Sequence, residues 1–237
     1  MLQSLKHLYS HPLASLDGDI GHVKDFYFDD HKWTIRYLVV DTGSWLSGRM
    51  VLISPLALGT LSRDGKALRV RLTRRQIEDA PPIESHKPIS RQHEEEFYRY
   101  YGWPYYWNGN ATWGMSGVPI LDLPPESSQE SSPDTTEVTA EGNDTHLRSA
   151  QAVKGYAVQA RDGTAGHIVD FLMDVETWTL QQIIIKVGHR LTGHEVLLPV
   201  REVRRISYVD SSIFVDLPLV EIEAGPRCDL DSLGMSS

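Results

Sequence analysis

The sequence predicts a mainly β protein made of two small antiparallel β-barrels, and three observations predict it. One stretch occurs twice: Asp17-Gly18-Asp19-Ile20-Gly21-His22-Val23-Lys24-Asp25-Phe26 returns 145 residues later as Asp162-Gly163-Thr164-Ala165-Gly166-His167-Ile168-Val169-Asp170-Phe171. The same offset carries on without a gap, matching Asp29 with Asp174, Trp33-Thr34 with Trp178-Thr179, Gly43 with Gly188, Val51-Leu52 with Val196-Leu197, Ile77-Glu78 with Ile222-Glu223 and Pro81 with Pro226. Roughly three positions in ten are identical, and most others exchange one apolar residue for another. Finally, short runs rich in β-branched and aromatic residues alternate with tight-turn signals at close intervals, as in a small, strongly bent barrel.

Each copy reads in the same order. Leu2, Leu5 and Leu8 suggest a helical turn leading into a strand at Pro12 to Leu16. Asp17-Gly18 marks a hairpin, because glycine takes positive φ without steric cost. Strands follow at Gly21 to Asp29 and, after the polar Asp30-His31-Lys32, at Trp33 to Asp41. In that last strand Ile35, Tyr37 and Val39 share one face while Leu38 and Val40 share the other. Both faces are apolar, so one fills a barrel and the other must be covered by a helix, a loop or the second copy. Further strands are expected at Arg49 to Ile53, Leu56 to Leu61 and Ala67 to Leu72, with a hairpin at Asp64-Gly65. Thr73 reads as the N-cap of a short helix that Pro81-Pro82 stops. The second copy opens with a helical stretch, His146 to Lys154, and ends in a helix at Leu219 to Glu223.

Between the copies the chain changes character. Ser90 caps an expected helix to Tyr101, closed by Gly102, and Trp103-Pro104-Tyr105-Tyr106-Trp107 adds a dense aromatic run. From Leu123 to His146 the composition turns to Pro, Ser, Thr, Glu and Asp without Lys or Arg, which predicts a disordered acidic tether. About 24 such residues span roughly 25–30 Å end to end, enough for the two barrels to pair within one chain. The predicted organisation is therefore a first barrel over 1–82, a helical aromatic connector over 83–122, an acidic linker over 123–146, a second barrel over 147–226 and a flexible tail over 227–237.

Composition narrows the function classes. The chain has 237 residues, 41% of them hydrophobic and 23% charged, as in an ordinary globular protein. Its net charge of −9 argues against direct nucleic-acid binding, which needs clustered Lys and Arg. The single cysteine, Cys228, leaves no intrachain disulfide and no cysteine zinc cage. Lys6, His7 and His11 interrupt the leucines of the N-terminus, and no run approaches the roughly 20 apolar residues of a membrane span. The expectation is a cytoplasmic protein, with peripheral membrane association left open.

The motif Asp17-Gly18-x-x-Gly21-His22-Val23-x-Asp25-Phe26, the run Trp33-Thr34-Ile35-Arg36-Tyr37-Leu38-Val39-Val40-Asp41 and Val51-Leu52-Ile53-Ser54-Pro55 resemble the PRC-barrel family. That family includes the H subunit of the purple-bacterial photosynthetic reaction centre and a ribosome-maturation factor, and the resemblance covers both copies. Ser90 to Glu94 and Tyr100 to Pro104 also look like the connector of stand-alone bacterial members with two barrels. The resemblance implies a non-catalytic module that binds other proteins. Its alternatives are a peripheral component of a photosynthetic or electron-transfer membrane complex, and a ribosome- or RNA-associated factor.

No catalytic residue, metal site or cofactor is predicted. His22 and His167 occupy equivalent positions and would serve as a ligand pair only if the copies brought them together, and a histidine bonded to the adjacent turn is the commoner outcome. Asp25 with Asp170, and Asp29 with Asp174, read as acceptors in turns and barrel rims. Gly18 to Gly21 makes a hairpin and opens no helix, so it is no phosphate loop, and Ser44 and Ser54 lack a nucleophile-elbow setting. Arg74-Arg75, answered by Leu219-Val220, reads as solvated charge at a helix start. The candidate partner-binding residues are Trp45, flanked by glycines and answered by Arg190, together with Phe97, Tyr101, Trp103, Tyr105 and Trp107. The competing reading of the aromatic cluster is that it covers a barrel face or the seam between copies.

Overall fold

The computed structural model describes residues 1–59, 67–82, 89, 91–107, 111–114, 117–119, 146–188 and 193–228. The expected hairpin at Asp64-Gly65, the Ser90 cap, Arg190, the tether from 123 to 145 and most of the tail lie outside them. The first repeat runs β1 (Leu2–Ser4), α1 (Leu5–Leu8), β2 (Pro12–Ala14), β3 (Asp19–Asp29), β4 (Thr34–Asp41), β5 (Met50–Ile53), a 3-10 turn (Pro55–Ala57), β6 (Leu68–Arg69) and α2 (Arg74–Glu78). The connector contributes α3 (Arg91–Tyr101). The second repeat follows the same plan with β7 (Leu147–Ser149), α4 (Ala150–Val153), β8 (Ala157–Gln159), β9 (Thr164–Asp174), β10 (Thr179–Val187), β11 (His194–Pro199), a 3-10 turn (Val200–Glu202), β12 (Val203–Ser207), β13 (Ser212–Val215) and α5 (Leu219–Glu223).

The protein is mainly β, and its strands form one curled, mixed sheet of 13 strands. Two expected elements differ. A 3-10 turn replaces the start of the strand expected from Leu56, because Pro55 fixes its first residue and the Ser54 hydroxyl accepts from the Leu56 N–H. The helix expected from His146 is a strand followed by one helical turn, as it is at the N-terminus.

Local chemistry explains why the motif repeats. Gly21 (φ 146°) and Gly166 (φ 154°) lie where β3 and β9 cross their neighbours so closely that a Cβ would collide with the carbonyl oxygens of Asp41 and Lys186. The β3–β4 turn is closed by Asp29, whose Oδ1 accepts from the N–H groups of His31 (2.9 Å) and Lys32 (3.1 Å). Asp174 does the same for Glu176 (2.9 Å) and Thr177 (3.0 Å). Each turn ends on a tryptophan in the left-handed region, Trp33 at φ 51° and Trp178 at φ 57°, a conformation that costs a non-glycine residue about 1–2 kcal/mol.

Those tryptophans build the junction between the repeats. The Trp33 carbonyl accepts from the Leu180 N–H (2.6 Å), and the Trp178 carbonyl accepts from the Ile35 N–H (2.8 Å). Thr34 thus pairs with its own equivalent, Thr179, on a pseudo-two-fold axis that joins β4 to β10. The N-terminal segments are exchanged across this axis. β1 pairs with β9, and β7 pairs with β3, so each repeat completes the sheet of the other. Buried residues of both repeats form one core, in which Phe28 and Phe171 meet at 5.8 Å. Among the described residues no helix is long and apolar enough to cross a membrane.

Candidate functional site

The exchange is fastened by two carboxylates, Asp170 buried and Asp25 half-buried. The Ser4 hydroxyl donates to Asp170 and the Ser149 hydroxyl to Asp25, equivalent pairs 145 residues apart. The backbone N–H groups of Lys6 and Gln151, in the first turns of α1 and α4, donate to the same two carboxylates at 3.2 and 3.1 Å. Each aspartate therefore caps a helix belonging to the other repeat. Burial pushes both carboxyls above the ordinary range, against the downward pull of these donors.

The connector seals the outer face of β4, which the strand's two apolar faces required. Phe97 and Tyr98 of α3 pack edge-on to Tyr37, at 5.4 and 6.5 Å. Gly102 (φ 67°) reverses the chain, so Trp103 returns against Phe97 and stacks on Tyr101 at 4.4 Å. Trp113, further on, donates from Nε1 to the Thr177 carbonyl of the second repeat (2.9 Å).

Beneath this aromatic cover lies a polar cluster. Arg36 is the extra residue of a bulge in β4, since Tyr27 faces Tyr37 while Phe28 faces Ile35. The bulge turns its guanidinium under the connector, 3.8 Å from the Tyr106 ring centroid and 4.9 Å from that of Trp113. Its Nη1 donates to the Thr112 carbonyl (2.7 Å) and its Nη2 to Asp29 Oδ2 (3.2 Å). Burial raises the Asp29 carboxyl, but the Arg36 charge and the N–H groups of Lys32 and His31 together hold it below the ordinary range. Glu94, fully buried on α3, accepts from Tyr106 (2.7 Å) and Tyr37 (3.1 Å), with Arg91 at 3.2 Å and His146 at 3.1 Å from its second oxygen. With Tyr106 donating to Glu94, His146 Nε2 is the donor to the Tyr106 oxygen (2.8 Å). Burial and the Glu94 charge drive the phenols of Tyr37 and Tyr106 upward, so both stay protonated donors. One carboxylate thus ties together α3, the aromatic strap, β4 and the residue that leads into β7 of the second repeat.

The sequence-predicted residues divide by burial. Phe97 and Trp103 are buried, whereas Tyr101, Tyr105 and Trp107 are half-buried at the rim of the connector. Trp45 is half-buried as well, its indole N–H donating to the Ile20 carbonyl and its ring 5.1 Å from the Arg74 guanidinium. His22 and His167 are exposed at the ends of β3 and β9 remote from the junction, and the pseudo-axis places them on opposite wings. Asp29, Asp30 and His31 bring ligand-type atoms within 4.8 Å of one another. Their carboxylates are committed, Asp29 to Arg36 and Asp30 to Arg148, so the donor set is already neutralised.

Sequence reasoning missed Arg36, Glu94 and His146. The available signal was an arginine inside the most apolar strand of the chain, at the position where the second copy carries Gln181. No protein-family model matches the chain, and no curated protein matches it.

Proposed function

We propose that this chain is a non-catalytic adaptor in which two PRC-type barrels, fused and paired, present a surface to a protein partner. One observation carries the reading: Arg36 is spent on Asp29 and Glu94 on His146, while Asp25 and Asp170 are spent on serine hydroxyls and backbone N–H groups of the exchanged segments, all as cross-links. Chemistry on a substrate needs such groups exposed to it. The half-buried rim of Tyr101, Tyr105 and Trp107, with Trp45 on the first repeat, supplies the aromatic anchors that protein interfaces favour. The resemblance of both repeats to PRC barrels supports the same reading.

The test is affinity purification of the tagged full chain from its native cells, with Trp45→Ala and Trp107→Ala variants alongside. One dominant protein, released by either variant, is the expected result. Capture of nothing, together with turnover of a small molecule by the purified chain, would overturn the proposal.

A further inference from the structure

We infer that the first repeat docks an acidic peptide segment of its protein partner on a strip formed by Arg69, Arg71, Arg74 and Arg75, bordered by Trp45 and Leu16. This rests on the adaptor reading and names the partner's chemistry. The strip follows from strand geometry. Along β6 and its continuation Leu68, Val70 and Leu72 are buried while Arg69 and Arg71 are exposed, so the two guanidinium groups leave the same side about 7 Å apart at their roots. Thr73, with a capping box to Gln76, then turns the chain into α2 and places Arg74 and Arg75 next in line.

The strip has a fixed end and a free one. Arg74 is held by its N–H to Asp17 (2.8 Å) and its Nε to the Asp19 carbonyl (2.9 Å), with the Trp45 ring beneath it. Leu16, 69% exposed, joins the same edge through its N–H to the Leu72 carbonyl (3.0 Å). Arg75 is 90% exposed, 3.6 Å from Asp79. The Arg71 guanidinium donates to the Leu58 carbonyl (3.2 Å), and among the described residues neither Arg69 nor Arg71 has a carboxylate at ion-pair distance.

The second repeat shows that the fold does not require these charges. At the same offset it carries Phe214, Asp216, Leu219 and Val220 on the same backbone. The four arginines of the strip thus belong to the first repeat alone, while the second repeat carries its arginines at other positions, as at Arg201, Arg204 and Arg205. The ligand must be anionic, and its chemistry can be narrowed. Asp17, Asp19, Glu78 and Asp79 border the strip and repel a continuous phosphate backbone, whereas separate carboxylates can each meet one guanidinium fork. Trp45 is pinned by its indole N–H and half-buried, so it cannot project into a lipid surface. The partner adds no strand either. β6 is flanked by β2 on one side and by residues 57–59 on the other, through Gly59 N–H to Arg69 carbonyl (2.9 Å) and Arg71 N–H to Ala57 carbonyl (2.7 Å). Recognition is by side chains, with Trp45 and Leu16 receiving an apolar residue of the peptide.

The test titrates the full chain with a fluorescein-labelled oligoglutamate peptide carrying a central Leu-Phe pair, followed by anisotropy. Arg69→Glu with Arg71→Glu is expected to weaken binding by at least about tenfold, Trp45→Ala by less, and added salt is expected to weaken it steadily. Arg201→Glu with Arg204→Glu, exposed on the second repeat, should leave it unchanged, and equal thermal unfolding of all variants confirms that each is folded. Absence of peptide binding, an equal loss in the second-repeat variant, or tighter arginine-dependent binding of oligothymidylate or phosphatidylserine vesicles would each overturn the inference. If a partner purified from native cells is retained by the Arg69/Arg71 variant, the strip fails and the adaptor stands. If no partner is captured and the purified chain turns over a small molecule, the adaptor itself fails.

Discussion

Arg36 carries its charge into the interior. It is fully buried, opposed by one carboxylate, two aromatic faces and one carbonyl, and its equivalent Gln181 is exposed. Replacing a buried ion pair as a whole is often nearly neutral, whereas removing one member leaves an uncompensated charge. Arg36→Met is therefore expected to lower stability by about 3–5 kcal/mol in urea unfolding, and Asp29→Asn added to it to restore part of the loss. Gln181→Met should stay within about 0.5 kcal/mol, because that side chain lies at the surface. Equal effects at the two positions would show that burial beneath the connector, and not the bulge itself, has been misassigned as the cause. The sequence shows that Arg36 interrupts an apolar strand. It does not show that its partners come from Asp29, Tyr106 and Thr112, which are separate stretches brought together only by the connector.

The exchanged strand–helix segments are the elements whose placement was least legible. Leu2 to Leu8 and Leu147 to Val153 read alike, and nothing in either pattern says which repeat it will dock on. The Asp17-Gly18 hairpin, the Thr73 cap and the short helices that end the repeats were legible because each depends on residues adjacent in sequence. The exchange has a consequence for acid stability. Asp25 and Asp170 have raised folded values, so the native state binds more protons than the unfolded chain between the ordinary carboxylate value and the raised one. Their contribution is present below that window and is lost as pH rises through it. Asp29 has a lowered folded value and acts oppositely, stabilising above the ordinary value and losing that contribution as pH falls through its folded value. In urea midpoints measured from acid to neutral pH, Asp25→Asn with Asp170→Asn should gain on the parent chain as pH rises. Asp29→Asn should lose ground over the same titration. Curves parallel to the parent for both would refute the assignment of these groups.

At the scale of the whole molecule, the junction decides whether the repeats unfold separately or together. A link through sequence alone would let each small domain melt at its own denaturant concentration. Here the sheet is continuous through Thr34 and Thr179, each repeat holds a strand and helix of the other, and Phe28 packs on Phe171 in a shared core. Loss of structure in one repeat would strand the exchanged segment of the other, leaving Asp25 or Asp170 buried without its serine donor. Unfolding should accordingly be one transition. Phe28→Ala, a first-repeat substitution expected to cost about 3–5 kcal/mol, should shift hydrogen-exchange protection in β10 as much as in β4. If β10 keeps its parental protection while β4 loses its own, the repeats are energetically independent, and the exchanged strands would be contacts without coupling. If both fall together, a partner bound to the first repeat stabilises the second by the same amount, because binding free energy is shared by every element that unfolds with its site.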